Sequence, residues 1–416
     1  EFRRVLFRSD DLHGNLRGII EHMDDIQNLG IDVLYMTPIF QSNSCHKYDT
    51  TDYYQIDPSF GTTEDLKELV QKAHERGMKV VLDAVYNHTG REFFAFADIL
   101  ENGEKSKYRD WYFIDGFPLK SEWGEIPNFK CFGYYGGMPK LNLKNPEVEK
   151  YITDVACYWI KECDIDGWRL DVGDEISHFF WKNFRKAVKA VKKDMLIIGE
   201  IWHYAGDFLE GDEWDTVMNY PFYLNLIDLL ADEKITVSQF VQNLGYLKGR
   251  LHKNCYPLMW NLIDSHDTAR FLHLCNDNKK KQHLAAAFQL LLPGMPMIYY
   301  GDEYAMPGAN DPDCRRGMYW DEEYQDKEMY EWYKRLIQVR KSHACIVEGE
   351  LAGSVTEDEE GTIVLIRKNG EETIAMIFNC SSSAKKFNEY TEKYNLLTEN
   401  TFDGNVEGFD AAVIVL

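Results

Sequence analysis

Basic residues are in short supply in this 416-residue chain: 46 Lys and Arg stand against 69 Asp and Glu, a formal charge of −23. That deficit argues against a nucleic-acid partner or an anionic membrane surface, since both are bound through clustered Lys and Arg. It also disfavours an anionic substrate. No apolar run is long enough to span a bilayer, because the longest, Leu284 to Tyr300, is interrupted by Gln289, Pro293, Gly294 and Pro296. The nine cysteines lack paired spacing, and with no CxxC pair or His-rich cluster nothing points to zinc. Scattered, odd-numbered thiols fit a reducing, cytoplasmic setting. Internal repeats and low-complexity tracts are absent as well. What is present is an ordinary globular composition, 44% hydrophobic and 14% aromatic. The length allows two to three domains, and the aromatics suit a neutral ligand bound by stacking.

The first nine residues, EFRRVLFRS, have no initiator Met and no pattern joining them to the chain beyond Ser9. They read as the translation of a sequencing adapter and are set aside from fold reasoning. The native start is then unknown, and a lost leader peptide stays open. From Leu12 to about His343, short apolar runs alternate with amphipathic helical stretches. Strands are expected at Val33–Pro38, Lys79–Ala84, Gly167–Asp171, Leu196–Glu200, Thr216–Asn219, Leu258–Ile263 and Met297–Tyr300. Runs such as KVVLDAV and MLIIGEI are apolar throughout, as parallel strands covered on both faces should be. Helix caps are legible between them. Asn145-Pro146-Glu147 opens one helix, and a second runs from Thr63 to a C-terminal Gly77.

Seven strands in such a series predict an α/β fold of the (β/α)8 TIM-barrel type, its first strand expected ahead of Asp10 where the adapter-like tail sits. The barrel is assigned residues 10–88 and 142–343. Residues 89–141, rich in Phe, Tyr, Trp, Gly and Pro and without helical period, are expected to form a subdomain inserted after the third strand. Residues 344–416, with alternating runs GTIVLIRK, TIAMIFN and AAVIVL, predict an antiparallel C-terminal β-sandwich domain.

Barrel enzymes carry their working groups at the C-terminal ends of the strands. Those ends hold Asp83, Asn87 and His88 (DAVYNH), Arg169 and Asp171 (GWRLD), Glu200 (GEIW), and His266 and Asp267 (LIDSHD). Arg169 and Asp171, two apart on a strand, face the same way, so the guanidinium is expected to hold Asp171 ionised as a nucleophile. Glu200 closes an apolar strand beside Trp202, a setting that raises a carboxyl pKa and suits a general acid. Three carboxylates converging on one mouth is the equipment for splitting a glycosidic bond. Asp83 and Asn87 are read as shaping that site.

The segments DAVYNH, GWRLDVGDE, GEIW and LIDSHD, in this order, resemble the signature segments of the α-amylase family, and the likeness covers nearly the whole chain. It implies that Asp171 is the nucleophile, Glu200 the general acid/base and Asp267 the transition-state stabiliser. Arg169, His88 and His266 would bind the sugar at the cleavage point, and Tyr48, in HKYDTTDY, would stack beneath it. MPKLN at Met138–Asn142, with GEIWH and NDPDCRR, resembles the neopullulanase, cyclomaltodextrinase and maltogenic amylase subgroup. There Asp311 and Arg315 would hold the next sugar outward, with Trp202 and Glu175 also contacting substrate.

The resemblance implies retaining hydrolysis of α-1,4, and in some members α-1,6, glucosidic bonds in cyclodextrins, maltooligosaccharides or pullulan, with transglycosylation. An α-glucosidase or α-glucanotransferase of the same family is the alternative; a non-catalytic scaffold is remote, since all three acids are retained. The chain departs from the subgroup in three ways. Asp174 precedes Glu175 where Asn is expected, which bears on the acceptor side. The subgroup's leading β domain, used for homodimers, is not in the sequence. The first strand and its calcium loop are missing too, and Asn15 in GNLRG is a lone remnant ligand position. No cofactor or metal is therefore expected in this fragment, calcium being left to the full-length protein, and a fragment with an open barrel seam is expected to be poorly soluble or weakly active.

Overall fold

The structure is a computed structural model that describes residues 14–120 and 126–416. The adapter-like residues and the expected position of the first strand lie outside the described residues.

Five parallel strands pair in chain order: Val33–Met36, Lys79–Ala84, Gly167–Leu170, Leu196–Gly199 and Thr216–Val217. The curve continues through a bridge from Met218 to Trp260 and the parallel pair Trp260–Asn261 with Met295–Pro296. Along these strands alternate side chains point in and out. Trp168 packs outward among Phe40 and Tyr86, while its neighbour Arg169 points into the lumen. Both populations are buried, which is why the runs carry so little polar alternation.

The last strand lies two residues earlier than Met297–Tyr300. Met295 N–H donates to the Met259 carbonyl at 2.7 Å and Met297 N–H to that of Asn261 at 2.8 Å. Pro296, between them, needs no donor because in a parallel ladder it faces the other way. Pro296 thus sits at a position whose missing N–H takes no part in this pairing.

The helices begin where their caps predict. Thr62 and Asp65 form a reciprocal capping box on Thr63–Glu75, and Gly77 follows that helix at φ +75° with open space around it. Asn145 caps Pro146–Cys163 by accepting from Glu147 N–H at 2.9 Å. The inserted segment is less irregular than expected, since Phe94–Asn102 is a helix. It has no side-chain cap and is held by tertiary contacts, with Phe94 edge-on to Trp111, Tyr108 and Tyr151 and Phe96 against Tyr112 and Phe129. Nine residues held from outside leave no periodicity to read.

Past the helix Lys327–Ser342 the chain forms a six-stranded antiparallel sheet with a two-stranded ribbon, Lys385–Lys386 with Asn405–Val406. Alternate residues of its central strands face two different cores. Ile363, Leu365, Met376 and Phe378 join the barrel's core, and Phe378 stacks on Phe288 at 4.3 Å. Val364, Ala375, Ile377 and Ile414 pack beneath the ribbon with Phe387 and Val406.

Candidate active site

Strand register assembles the site. Asp83 and Arg169 are direct partners across neighbouring parallel strands, and Asp171 and Glu200 follow one residue beyond the ends of theirs. Asp171 N–H donates to the Ala84 carbonyl and Glu200 N–H to that of Leu170, so both acids stand at one level. Gly199 precedes Glu200 because the Trp214 ring fills the space a Cβ would need.

Arg169 is fully buried and serves three carboxylates. One terminal nitrogen lies 3.1 Å from Asp83 Oδ2 and 3.0 Å from Asp171 Oδ1, while the other lies 3.0 Å from Glu200 Oε1. Asp83 also accepts from the hydroxyls of Tyr35 and Tyr48. Glu200 Oε2 accepts from Val172 N–H at 2.8 Å, and Trp202 Nε1 stands 3.3 Å from Oε1. Val172 is held at φ +47°, ψ +43°, a left-handed conformation that a β-branched residue rarely takes. The strain aims its N–H at the carboxylate. Asp171 Oδ2 has no hydrogen-bond partner among the described residues.

One guanidinium cannot hold three buried carboxylates ionised. Burial first, and then the charge of Glu200, push Asp171 well above the ordinary carboxylate range, with Arg169 opposing. Burial likewise raises Glu200 and Asp83 against the same guanidinium. The expected pairing of Arg169 with Asp171 is present, but the guanidinium is shared among three carboxylates, and burial raises the pKa of Asp171 where a lowered one was expected.

Asp267 is placed differently. Its Oδ2 is 3.0 Å from His266 Nε2 and its Oδ1 is 3.5 Å from Arg315. Burial pushes its pKa up, but His266, Arg169 and Arg315 outweigh burial and hold it well below the usual range. Arg315 also pairs with Asp311 at 2.8 Å and donates to the His266 carbonyl at 2.9 Å, so the predicted outer pair joins the wall carrying Asp267. Tyr48 links the halves. Its ring lies parallel to that of His266, its hydroxyl donates to Asp83 at 3.2 Å, and its oxygen lies 2.6 Å from His266 Nε2.

His88 is buried, as are Arg169 and His266. Nε2 lies 3.0 Å from the Tyr48 carbonyl, which makes it the protonated nitrogen, and Nδ1 faces the Asn87 amide at 3.4 Å. Burial lowers its pKa to about 4, so the ring is neutral. In this arrangement it positions Tyr48. Glu175 lies farther out, tied to Lys140 at 2.7 Å and Asn87 at 3.1 Å. Asp174, the departure from the expected Asn, pairs with His203 at 3.1 Å. Asn15 Oδ1 accepts from Gly18 N–H as a helix cap, a role unrelated to metal binding. Trp202 stacks on Tyr220 at 3.9 Å and remains 41% exposed beside Glu200.

Sequence reasoning missed Tyr35, Val172 and a buried set beneath the Asp267 loop in which Arg270 pairs with Asp302 at 3.1 Å and Asp264 accepts from Phe271 N–H. Tyr35, a lone hydroxyl in the apolar run VLYM, was the one readable signal among them. The strain at Val172 leaves no mark in the sequence.

The alpha-amylase catalytic-domain family matches residues 6–349. The chain is 48% identical over 371 residues to a cyclomaltodextrinase of Geobacillus thermopakistaniensis, covering 89% of this chain and 63% of that protein. With a cyclomaltodextrinase of Thermoanaerobacter pseudethanolicus it shares 51% over 331 residues, 79% of this chain and 57% of the other. Neopullulanase 2 of Thermoactinomyces vulgaris is 43% identical over 89% of this chain and 63% of its own length. The chain thus spans about three fifths of the length of these relatives. Among solved structures, a cyclomaltodextrinase superposes with a TM-score of 0.93 at 38% identity, covering 99% of this chain and 74% of that one. The cyclic alpha-maltosyl-(1→6)-maltose hydrolase of Arthrobacter globiformis, in complex with that cyclic sugar, gives 0.89 at 35% over 97% and 90% of the two chains. The fold is thereby the (β/α)8 barrel with a C-terminal antiparallel β domain, and the chain belongs to the alpha-amylase family, in the group of the cyclomaltodextrinases, neopullulanases and maltogenic amylases.

Proposed function

We propose that this protein is a retaining glycoside hydrolase acting on α-glucosidic bonds of cyclodextrins, maltooligosaccharides or pullulan. The observation that carries the reading is the buried guanidinium of Arg169, which pairs with both Asp171 and Glu200 and so holds the two carboxyl groups at one mouth. In the proposed sequence Asp171 Oδ2 attacks the anomeric carbon while Glu200 protonates the leaving oxygen. Glu200 then takes a proton from water, which releases the glycosyl group from Asp171. Asp267, held ionised by His266 and Arg315, stabilises the positive charge developing on the sugar. No step requires a cofactor. The substrate carries no charge, in keeping with the acidic surface, and a macromolecular partner is not invoked.

A cytoplasmic location is part of the proposal. It is supported by nine cysteines, all free, and by the absence among the described residues of a helix long and apolar enough to cross a membrane. One relative is named the intracellular maltogenic amylase of Bacillus subtilis. The deciding measurement compares glucose and maltose release from β-cyclodextrin and from starch. Faster release from β-cyclodextrin is expected, whereas a strong preference for starch would sink the subgroup reading.

A further inference from the structure

The loop that carries His266 and Asp267 is built on a second set of buried charges, separate from the Arg169 cluster. Asp264, Asp302 and Glu303 are all buried, and Arg270 stands beside them, fully buried as well. Its guanidinium lies 3.1 Å from Asp302 Oδ1, 4.5 Å over the Tyr299 ring and 5.1 Å from that of Tyr300. Glu303 accepts from Gly301 N–H at 2.7 Å, and Gln282 donates to the Asp302 carbonyl at 3.0 Å.

Asp264 closes the loop. Its Oδ2 accepts from Phe271 N–H at 2.7 Å, and the turn between these two residues holds His266 and Asp267. Within the turn Ser265 N–H donates to Thr268 Oγ1 at 2.9 Å and Asp267 N–H to Ser265 Oγ at 3.2 Å. Arg270 N–H donates to the Gly308 carbonyl at 3.0 Å, which ties the far end of the loop to the segment preceding Asp311 and Arg315.

Two oxygens are left over. Asp264 Oδ1 and Asp302 Oδ2 are buried with no hydrogen-bond donor among the described residues, and the two carboxyl groups are within hydrogen-bonding reach of each other. Ionised carboxylates only accept, so two such oxygens can meet favourably only across a proton. Arg270 alone cannot neutralise three buried acids. Burial, and then the charge of Asp264, push Asp302 well above the ordinary carboxylate range with Arg270 opposing. The hydroxyls of Tyr333 and Tyr223 also face the pair and are kept neutral by burial, and Gln282 brings no charge.

We infer that Asp302 donates a shared proton to Asp264, and that the pair is a positioning clasp fixing the loop that presents Asp267 to the barrel mouth. The part played by Asp267 rests on the hydrolase reading above; the shared proton does not.

An amide reproduces the protonated acid. Asp302→Asn keeps an oxygen for Arg270 and an N–H donor for Asp264, and it needs no proton. Wild type must take up a proton on folding wherever the unfolded Asp302 is ionised, so it loses stability relative to Asp302→Asn as pH rises above about 4. In thermal melts the difference in Tm should therefore move toward the Asn variant by about 2–6 °C between pH 5 and pH 8. A difference that stays constant, or moves toward wild type, would mean an ordinary ion pair between ionised Asp302 and Arg270 and would overturn the shared proton.

Kinetics test the clasp. Asp302→Ala should lower kcat on β-cyclodextrin about 10–100-fold with KM within about two-fold, and Asp302→Asn should recover most of the loss. A wild-type kcat in Asp302→Ala, or equal losses in the Ala and Asn variants, would overturn the positioning role. A wild-type chain that cleaves no α-glucan would defeat the hydrolase reading and the positioning of Asp267 with it, while the melts still decide the shared proton.

Discussion

The mouth of the barrel has two halves that treat the same functional group in opposite ways. On one side Arg169 faces Asp83, Asp171 and Glu200, one cation for three buried carboxylates. On the other, Asp267 is paired with His266 and lies within reach of Arg315. The under-neutralised half raises the pKa of its acids, and the over-neutralised half depresses that of Asp267. Asp83, Asp171 and Glu200 are buried, whereas Asp267 keeps an exposed side chain, so exposure and the number of nearby cations act together on the two halves. The contrast sets raised carboxyl pKa values on one side of the mouth against a lowered one on the other.

The largest expected effect is on turnover. Asp171→Ala should remove the covalent route, with kcat down by about 10⁴-fold or more and no glycosyl-enzyme detectable by mass spectrometry. Glu200→Gln should lower kcat by about 10²–10⁴-fold. Retained hydrolysis in either would break the division of roles between the halves.

Next in size is the cost of removing each cation. Arg169→Met strips three buried carboxylates of their counter-charge and should lower unfolding free energy by about 3–5 kcal/mol in denaturant titration. Arg315→Met should cost only about 1 kcal/mol, because its partner Asp311 is half exposed. Equal losses would mean that Arg169 is not the shared counter-ion described.

The smallest effect is the most diagnostic. Glu200 has a raised folded pKa, so its ionisation penalises the folded state above that pKa, and the penalty vanishes below its unfolded value near 4. Glu200→Gln should therefore raise stability at pH 7 by about 1–2 kcal/mol, a gain that shrinks as pH falls toward 4. Asp267 has a depressed folded pKa and contributes stability above its unfolded value, lost as pH falls through the folded one. Asp267→Asn should thus be destabilising by about 1–2 kcal/mol at pH 7, less so below about pH 4. Thermal melts of both variants at pH 7 and pH 4 would read the two signs. The same sign for both would remove the distinction between the halves.

Much of the site was legible in the sequence. Carboxylates at the ends of apolar runs pointed to Asp171, Glu200 and Asp267, because a strand end in a barrel is a place in space as well as in sequence. Helix starts at Thr63 and Pro146 were legible because a cap is a contact between residues two or three apart. The helix Phe94–Asn102 was not, since its support comes from Trp111 and Tyr151. The strand at Met295–Pro296 was missed because a proline's cost depends on which way its missing N–H would have pointed.

The sequence by itself determined which groups reach the mouth and in what order the strands bring them, since alternation along a strand and register between strands are properties of the backbone. Only the tertiary structure decided how many acids share Arg169, that Val172 would be held in a left-handed conformation to meet Glu200, and that His88 would be turned inward to Tyr48. Those outcomes depend on distances between residues far apart in the chain. In a buried site the protonation state follows from those distances and not from the identity of the acid.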